Sequence, residues 1–471
     1  MLTRRLAKIN RLSATFLASI AGQVDPRFLL LTAFLFGISA FHREFAHLSL
    51  SIGGIPLFPG ELTLGLLIAL EAIRLLRGRR MAFRMRGSSF LWGMYLLLGV
   101  VYAAIGLARG HGLAALRDFA LVYYAVLFFL VQAVLQVEGD ATRLFTWVAI
   151  GSAVGSTWTA GSFLVTPQLT FGHGASGSQA LVAWLALAYL VSTSGDWGGR
   201  WRRWRWLAAV PLFVVIYLAG YRTMIGVAVM GVVVAAAWTV LARGPARSDA
   251  RRPAVAGVAV CLVFAASVLA VRLALGGPAP GSPTHGEVSL PQGLRVITNR
   301  WVRLFGGDSE PSAAFRAVAW AKAVARIQSH PWTGIGFGPE PALYPSSYCD
   351  APESPISNCG NAHNTYLTLA MRTGIPSFML WAVASLWVAG GYARAVLRHK
   401  NDEAVVRTAV LLTAILASLL VFGFFSLFFE SPYLSPYYWV TLGVMAETTR
   451  RLRTGEGPHS GSTLSVSPGA A

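Results

Sequence analysis

The chain has 471 residues, of which 55% are hydrophobic and only 13% are charged. A soluble domain carries about 25% charged residues, so the composition excludes a disordered chain and disfavours an ordinary soluble enzyme. Mean hydropathy is +0.56, which indicates a protein that crosses a membrane several times. The net charge of +19 does not indicate a nucleic-acid partner, because the basic residues cluster in short segments between apolar runs.

The first segment of the chain resembles a signal peptide in outline. Three basic residues, Arg4, Arg5 and Lys8, precede an apolar stretch at 12–21. That stretch is short and is interrupted by serine and threonine. We therefore expect residues 1–26 to be an amphipathic cytoplasmic lead-in rather than a cleaved leader.

Apolar runs long enough to cross a bilayer recur along the chain. A span needs about 20 mainly apolar residues, and twelve stretches qualify, some of them short. The predicted fold is therefore an all-α membrane protein with about twelve transmembrane helices. Nine spans fall in residues 1–275 and three in 374–447, followed by a tail at 448–471. The predicted spans are 27–42, 60–76, 89–107, 117–136, 144–164, 178–194, 206–220, 222–241, 254–275, 374–393, 405–428 and 434–447.

The distribution of basic residues predicts the orientation. With a cytoplasmic N-terminus, the inner segments carry 24 Lys and Arg residues and the short outer segments carry 4. Cytoplasmic loops are enriched in these residues, so both termini are predicted to be cytoplasmic. The large loop 276–373 then lies on the outer face.

This large loop is not uniform. Residues 276–292 are rich in Gly, Pro and Ser and are predicted to be flexible. Ser312 is a plausible N-cap for a helix over 313–329, which His330-Pro331 should end because the residue before a proline avoids helical geometry. Helical character returns at His363 and leads into the tenth span.

A histidine occurs where the loop re-enters the membrane, in the run Asn361-Ala-His363-Asn364-Thr-Tyr366. Such a histidine can act as a general base or orient a nucleophile near neutral pH. The alternative is a histidine at a helix start that only satisfies backbone groups. Earlier in the loop, His330-Pro-Trp-Thr-Gly334-Ile-Gly336-Phe-Gly338 predicts a tight turn whose backbone approaches a phosphate or a sugar.

Several cations stand at the outer ends of spans or on the loop helix. Arginine binds phosphate with two parallel hydrogen bonds, so these residues are candidates for binding an anionic substrate. Each also has a simpler structural explanation. Arg222 can anchor its helix at the lipid headgroups, the loop residues can lie on a solvated helix face, and Arg117 can form an ion pair with Asp118. The candidates are Arg117, Arg222, Arg316, Lys322 and Arg326.

Cysteine and acid spacing disfavour a metal centre. Cys349 and Cys359 share one polar loop and are a plausible disulfide in an oxidising compartment, whereas Cys261 lies in an apolar run. No Cys/His metal spacing and no Asp-x-Asp occurs in the sequence. We therefore predict a protein without a metal or an organic cofactor.

Four motifs, in their order and spacing, resemble the bacterial O-antigen ligase/polymerase family of membrane glycosyltransferases. Gln179 stands where the family has asparagine, and Tyr221 and Thr223 replace serine and glycine around the retained arginine. The motifs are Phe171-Gly-His-Gly-Ala-Ser-Gly-Ser-Gln179-Ala, Ala219-Gly-Tyr-Arg222-Thr, Arg316 and Trp320 followed by the His330–Gly338 turn, and His363-Asn364-Thr-Tyr366-Leu with Gly374-Ile.

The resemblance implies a GT-C-like membrane protein in the bacterial inner membrane with a periplasmic active site. It implies an undecaprenyl-diphosphate-linked glycan donor and an inverting, metal-independent transfer to an acceptor hydroxyl. The acceptor would be lipid A core or another glycan, which leaves ligase and polymerase open. The implied catalytic residues are His363, Arg222 and Arg316. Three alternatives stay open: a protein O-oligosaccharyltransferase, a twelve-span transporter of lipid-linked or polyanionic substrates, and an assembly protein without chemistry.

Overall fold

A computed structural model of the chain describes residues 25–52, 55–78, 87–138, 141–169, 174–193, 201–244, 246–276, 286–303, 311–343 and 362–455. Over these residues the protein is a bundle of α-helices with two small antiparallel strand pairs. The helices are α1 Pro26–His47, α2 Pro59–Leu76, α3 Ser88–Ala108, α4 Leu113–Tyr123, α5 Val126–Glu138, α6 Thr142–Val165, α7 Gly177–Ser192, α8 Trp201–Ala219, α9 Thr223–Leu241, α10 Ala246–Leu275, α11 Leu290–Arg303, α12 Pro311–Ser329, α13 Thr365–Arg398, α14 Glu403–Phe425 and α15 Ser435–Thr454.

Each predicted span coincides with one of these helices or, for residues 117–136, with the pair α4 and α5. Within the described residues, seven helices are long and apolar enough to cross a membrane by length and composition, and there are eight if the α4–α5 pair, bent by 45°, counts as one span. The prediction of an all-α membrane protein is confirmed. The number of twelve spans stays a prediction, because helices such as α7 are apolar but short.

The two strand pairs lie between helices. Strands β1 (Leu50–Ile52) and β2 (Ile55–Leu57) form a hairpin between α1 and α2. Strands β3 (Gln168–Leu169) and β4 (Gly286–Glu287) join the end of α6 to the start of α11.

The stretch 276–292, predicted to be flexible, is ordered in its described part. The Val288 amide donates to the Pro167 carbonyl at 3.0 Å, and α11 begins two residues later. One face of α11 is buried, including Ile297 and Trp301. Helix α11 is amphipathic rather than apolar, so hydropathy does not mark it as a membrane span.

Charged side chains mark two opposite ends of the bundle. At the far end, α1 begins and α2, α5 and α15 end. There Arg27 bonds to Asp25 and Glu71, and Arg451 bonds to Glu447 at 3.0 Å. At the loop end, α4, α7, α9 and α13 begin, and Tyr221, Arg222 and His363 lie just before two of these helices.

Candidate active site

Helix α12 is fixed against the segment that carries His363. Trp320 Nε1 donates to the Ala362 carbonyl at 2.8 Å, and the Trp320 ring meets Phe424 edge-on at 5.4 Å. Ala319 and Ala323 are fully buried beside Ala362. Arg316 precedes Trp320 by four residues, so the two side chains share a helix face. Arg316 is thereby brought next to His363, whose pKa it lowers.

The backbone around His363 is held in an uncommon conformation. His363 has φ +47°, a left-handed value that costs a non-glycine residue about 1–2 kcal/mol. Asn364 caps α13 through its Oδ1, which accepts the amides of Tyr366 at 3.0 Å and Leu367 at 3.1 Å. Thr365 Oγ1 donates to Ser426 O and accepts from Phe428 N. Backbone strain that the surroundings enforce in this way clusters at functional sites.

Electrostatics keep the His363 ring neutral. Burial, and after it the positive charge of Arg316, lower the pKa of His363 to about 4. At pH 7 the imidazole is therefore neutral, and this is the form whose unprotonated ring nitrogen can accept a proton. An anion bound beside Arg316 would offset that positive charge and raise the pKa of His363, which makes the ring a stronger base when the anion is present.

Tyr221 lies where α8 ends and α9 begins. Its ring packs on Gly177 at the start of α7, where an added Cβ would lie 3.0 Å from the ring. Burial raises the pKa of Tyr221, and the nearby charges of Arg300 and Arg316 oppose that rise. Arg222 is the next residue, exposed at the N-cap of α9.

Arg316 therefore lies close enough to both His363 and Tyr221 to shift their pKa values. Three separate parts of the chain meet here: the α8–α9 junction, α12 and the start of α13. Two of the three residues implied as catalytic, His363 and Arg316, lie together in the structure, and the third, Arg222, follows Tyr221 directly.

A second polar group lies nearby at the loop end. Arg372, on α13, is 1% exposed and pairs with Asp118 of α4 at 3.0 Å. Arg117, predicted to bind substrate, is exposed and lies 3.6 Å from Asp118. Asp118 therefore makes the local pair with Arg117 that the sequence suggested and a closer, buried pair with Arg372 that it did not.

Glu430 joins this second group from the segment between α14 and α15. It is half-buried, and within the described residues its buried Oε1 has no hydrogen-bond partner. Burial raises the pKa of Glu430 to about 7; Arg372 opposes the rise, Asp118 adds to it, and Arg117 opposes it. Tyr433, three residues further along this segment, lies close enough to Tyr221 to raise its pKa, so the segment passes near both polar groups.

The predicted glycine turn packs against the first turns of α13. The Gly334 amide donates to His330 O at 2.9 Å, and the Gly336 amide donates to Arg372 O at 3.0 Å. A Cβ on Gly334 would lie 2.5 Å from the backbone of Arg372, and the Gly338 amide donates to Asp118 Oδ2 at 2.8 Å. These contacts tie the turn to the Asp118–Arg372 pair, and they occupy the amides of both predicted binding glycines.

The remaining predicted residues are spread around this region. Lys322, Arg326 and His330 are exposed. The Tyr366 hydroxyl donates to Leu420 O at 2.6 Å, so this side chain joins α13 to α14. Cys349 and Cys359 lie outside the described residues, so their pairing stays a prediction. Among the described residues, no three His, Cys, Asp or Glu side chains are grouped as a metal site would require.

Sequence reasoning missed Arg300, Arg372 and Glu430. Arg300 lies on the unpredicted helix α11, and Arg372 lies inside the helix that continues into the tenth predicted span. Glu430 directly follows an apolar run, and that position is the one signal that the sequence offers for it. None of the three belongs to a motif with a recognisable spacing.

The fold and the loop-end residues define an all-α membrane protein with a cationic, histidine-containing site at one end of its helices. Residues 207–382 match the family model described as O-antigen ligase. The match confirms the resemblance to the O-antigen ligase/polymerase family, and it spans Tyr221, Arg222, Arg300, Arg316 and His363. Comparison with curated proteins gives no match.

Proposed function

We propose that the protein is a membrane glycosyltransferase that moves a glycan from undecaprenyl diphosphate to an acceptor hydroxyl at the loop end of the bundle. Lipid A core or a growing polysaccharide is the acceptor, and the transfer is inverting and independent of metal. The observation that carries this proposal is the hydrogen bond from Trp320 Nε1 to the Ala362 carbonyl, which ties α12 to the segment of His363. It places Arg316 near enough to His363 and to Tyr221, the neighbour of Arg222, to shift both pKa values.

The roles follow from the charge of each group. A departing diphosphate gains negative charge in the transition state, and Arg316 and Arg222 are placed to stabilise it. The neutral His363 ring accepts the proton of the acceptor hydroxyl, or it orients that hydroxyl toward the anomeric carbon. In this arrangement Arg316 links the two events, because donor binding beside it strengthens the base.

The proposed placement assigns sides to the membrane. The loop end faces the periplasm, and both termini and the far end face the cytoplasm, as the 24 to 4 distribution of Lys and Arg predicts. The membrane is the bacterial inner membrane. A lipid-linked donor then reaches the site from within the bilayer, and the acceptor reaches it from the periplasm.

The test is a transfer assay with the purified chain in lipid vesicles. A synthetic undecaprenyl-diphosphate oligosaccharide is supplied with lipid A core, with a second lipid-linked glycan, or with a serine-containing peptide, each with and without EDTA. Product on lipid A core identifies a ligase, and a ladder of longer glycans identifies a polymerase. Product on the peptide alone replaces the acceptor assignment by protein glycosylation. Absence of every product, with folded protein, contradicts the proposal.

A further inference from the structure

Helix α11 is firmly attached to the membrane-domain helices. Its Trp301 is 1% exposed, donates from Nε1 to the Tyr217 carbonyl at 2.9 Å, and meets the Phe264 ring edge-on at 4.7 Å. The Tyr217 hydroxyl also bonds to Thr298 Oγ1. Both ends of this contact lie on fully formed helices, so the position of α11 relative to α8 is fixed.

This attachment decides where Arg300 lies. Arg300 precedes Trp301 and is half-buried at the flank of the buried face. The carbonyl that Trp301 binds belongs to Tyr217, and Tyr221 follows Tyr217 by four residues at the end of α8. Arg300 accordingly lies close enough to Tyr221 to oppose the rise of its pKa, as Arg316 also does.

Two arginines, Arg300 and Arg316, thus lie near Tyr221 from two different helices, and a third, Arg222, is the next residue of the chain. Arg222 comes from the N-cap of α9, Arg300 from α11 and Arg316 from α12. Each element is held independently, since α12 is tied through Trp320 and α11 through Trp301. A diphosphate carries two phosphoryl groups, and each can take a two-bond arginine contact. The N-terminus of α9 adds a partial positive charge at the same place.

We infer that Arg300 is a third phosphate-binding arginine, which completes with Arg222 and Arg316 a site for a lipid-linked diphosphate around Tyr221. The inference deepens the function proposed above and rests on it. In this arrangement α11 contributes to recognition of the donor. The site then distinguishes a diphosphate from a monophosphate, because two arginines suffice for one phosphoryl group and the third binds the second.

Arg303 is the natural control on the same helix. It lies three residues beyond Arg300 and is exposed. The change Arg303→Gln removes the same charge from the same helix without touching the group around Tyr221. Any general effect of lowering the positive charge of α11 appears in both variants, and a specific effect of Arg300 appears in one.

The experiment measures binding of two lipids to the full chain in nanodiscs. The probes are undecaprenyl diphosphate and undecaprenyl monophosphate, and the proteins are wild type, Arg300→Gln, Arg300→Lys and Arg303→Gln. Loss of one charge-assisted contact is expected to weaken diphosphate binding by Arg300→Gln about 10-fold to 100-fold, with less than about 3-fold change for the monophosphate. Arg300→Lys should recover part of the loss, and Arg303→Gln should bind as wild type does.

Two results would overturn the inference. One is diphosphate binding by Arg300→Gln within about twofold of wild type. The other is equal weakening for both lipids, which is what a purely structural role of Arg300 would produce. Glycan transfer by the wild-type chain, measured separately in vesicles, tests the proposed function itself. If the wild-type chain transfers glycan and Arg300→Gln still binds the diphosphate normally, only the role of Arg300 is rejected and the proposed function stands.

Discussion

At the far end of the bundle, buried arginines are bonded to carboxylates, whereas at the loop end two arginines face a tyrosine and a histidine. Arg27 bonds to both Asp25 and Glu71 at the far end. At the loop end, Arg300 and Arg316 both face Tyr221, and Arg316 also faces His363. The same residue type is therefore used in two ways within one molecule.

The difference follows from what each arrangement can do. A buried arginine with two carboxylate partners is satisfied, and removing either partner leaves an uncompensated charge, so such a group fixes the positions of helix ends. Arginines gathered beside a neutral imidazole create a positive potential that favours an anion. The loop end contains both kinds of arginine, because Arg372 forms an ion pair with Asp118, and Asp118 in turn anchors the glycine turn next to the site.

The largest expected effect is on catalysis at His363. His363→Ala removes the group that accepts or orients the acceptor proton, and transfer should fall by about 10²-fold to 10⁴-fold. His399→Ala is the matched control, because His399 is also half-buried but lies at the end of α13 remote from the site. Initial rates in vesicles at saturating donor measure both variants. Full activity of His363→Ala would remove the histidine from the mechanism.

The second largest effect is expected on stability, when the buried ion pair of Arg372 and Asp118 is removed. Arg372→Met leaves Asp118 as a buried, uncompensated carboxylate and should lower the free energy of unfolding by about 3–5 kcal/mol. Arg27→Met at the far end should cost a similar amount, but only Arg372→Met should also impair transfer, because it releases the glycine turn. Thermal unfolding midpoints measure the stability of both variants, and transfer rates are measured at a temperature below both midpoints. Equal transfer rates for the two variants would show that the glycine turn does not affect the active site.

A smaller effect is expected at Arg316, with a pH signature. Arg316→Gln should lower the specificity constant for the donor about 10-fold to 100-fold through the lost phosphate contact. The pKa of His363 is about 4 with Arg316 present, so removal of that charge should raise it and move the acid limb of kcat/KM to higher pH. Arg326→Gln, exposed on the same helix, is the control. An unmoved acid limb would show that Arg316 does not tune His363.

The smallest effect is expected at Glu430. Its folded-state pKa of about 7 lies above its ordinary value of 4.5, so folding favours the protonated acid and the stability it contributes is lost as pH rises through 7. Glu430→Gln keeps the neutral form and should stabilise the protein at pH 8 by about 1 kcal/mol, with almost no change at pH 4. Unfolding midpoints at the two pH values measure this. An equal change at both would contradict a titrating Glu430.

The sequence located most helices because the membrane imposes long apolar runs. The predicted spans 89–107 and 222–241 agree with α3 and α9 to within one residue at each end. The loop helix over 313–329 ends at Ser329, as the following His330-Pro331 predicts. Helix α11 was missed because its fourteen residues are buried on one face and charged on the other, so their mean hydropathy is too low to indicate a membrane span.

The site was only partly predictable, for a related reason. His363 and Arg316 stood out because their motifs resemble a known family, and the structure places them side by side. Arg300 and Glu430 belong to no motif, and their importance arises from what packs next to them. A residue's neighbours across the chain depend on how the helices pack, which single-sequence patterns do not record.

By itself the sequence determined that this is an all-α membrane protein, predicted which end faces the periplasm, and nominated His363, Arg222 and Arg316, because hydropathy, charge asymmetry and motif spacing are local properties. The tertiary structure alone decided that Arg316 lies near both His363 and Tyr221, that α11 brings Arg300 to the same place, and that Arg372 and Asp118 form a buried ion pair. The physical reason is that electrostatic influence depends on separation in space, and the residues that meet at the loop end are separated in the chain by many tens of positions.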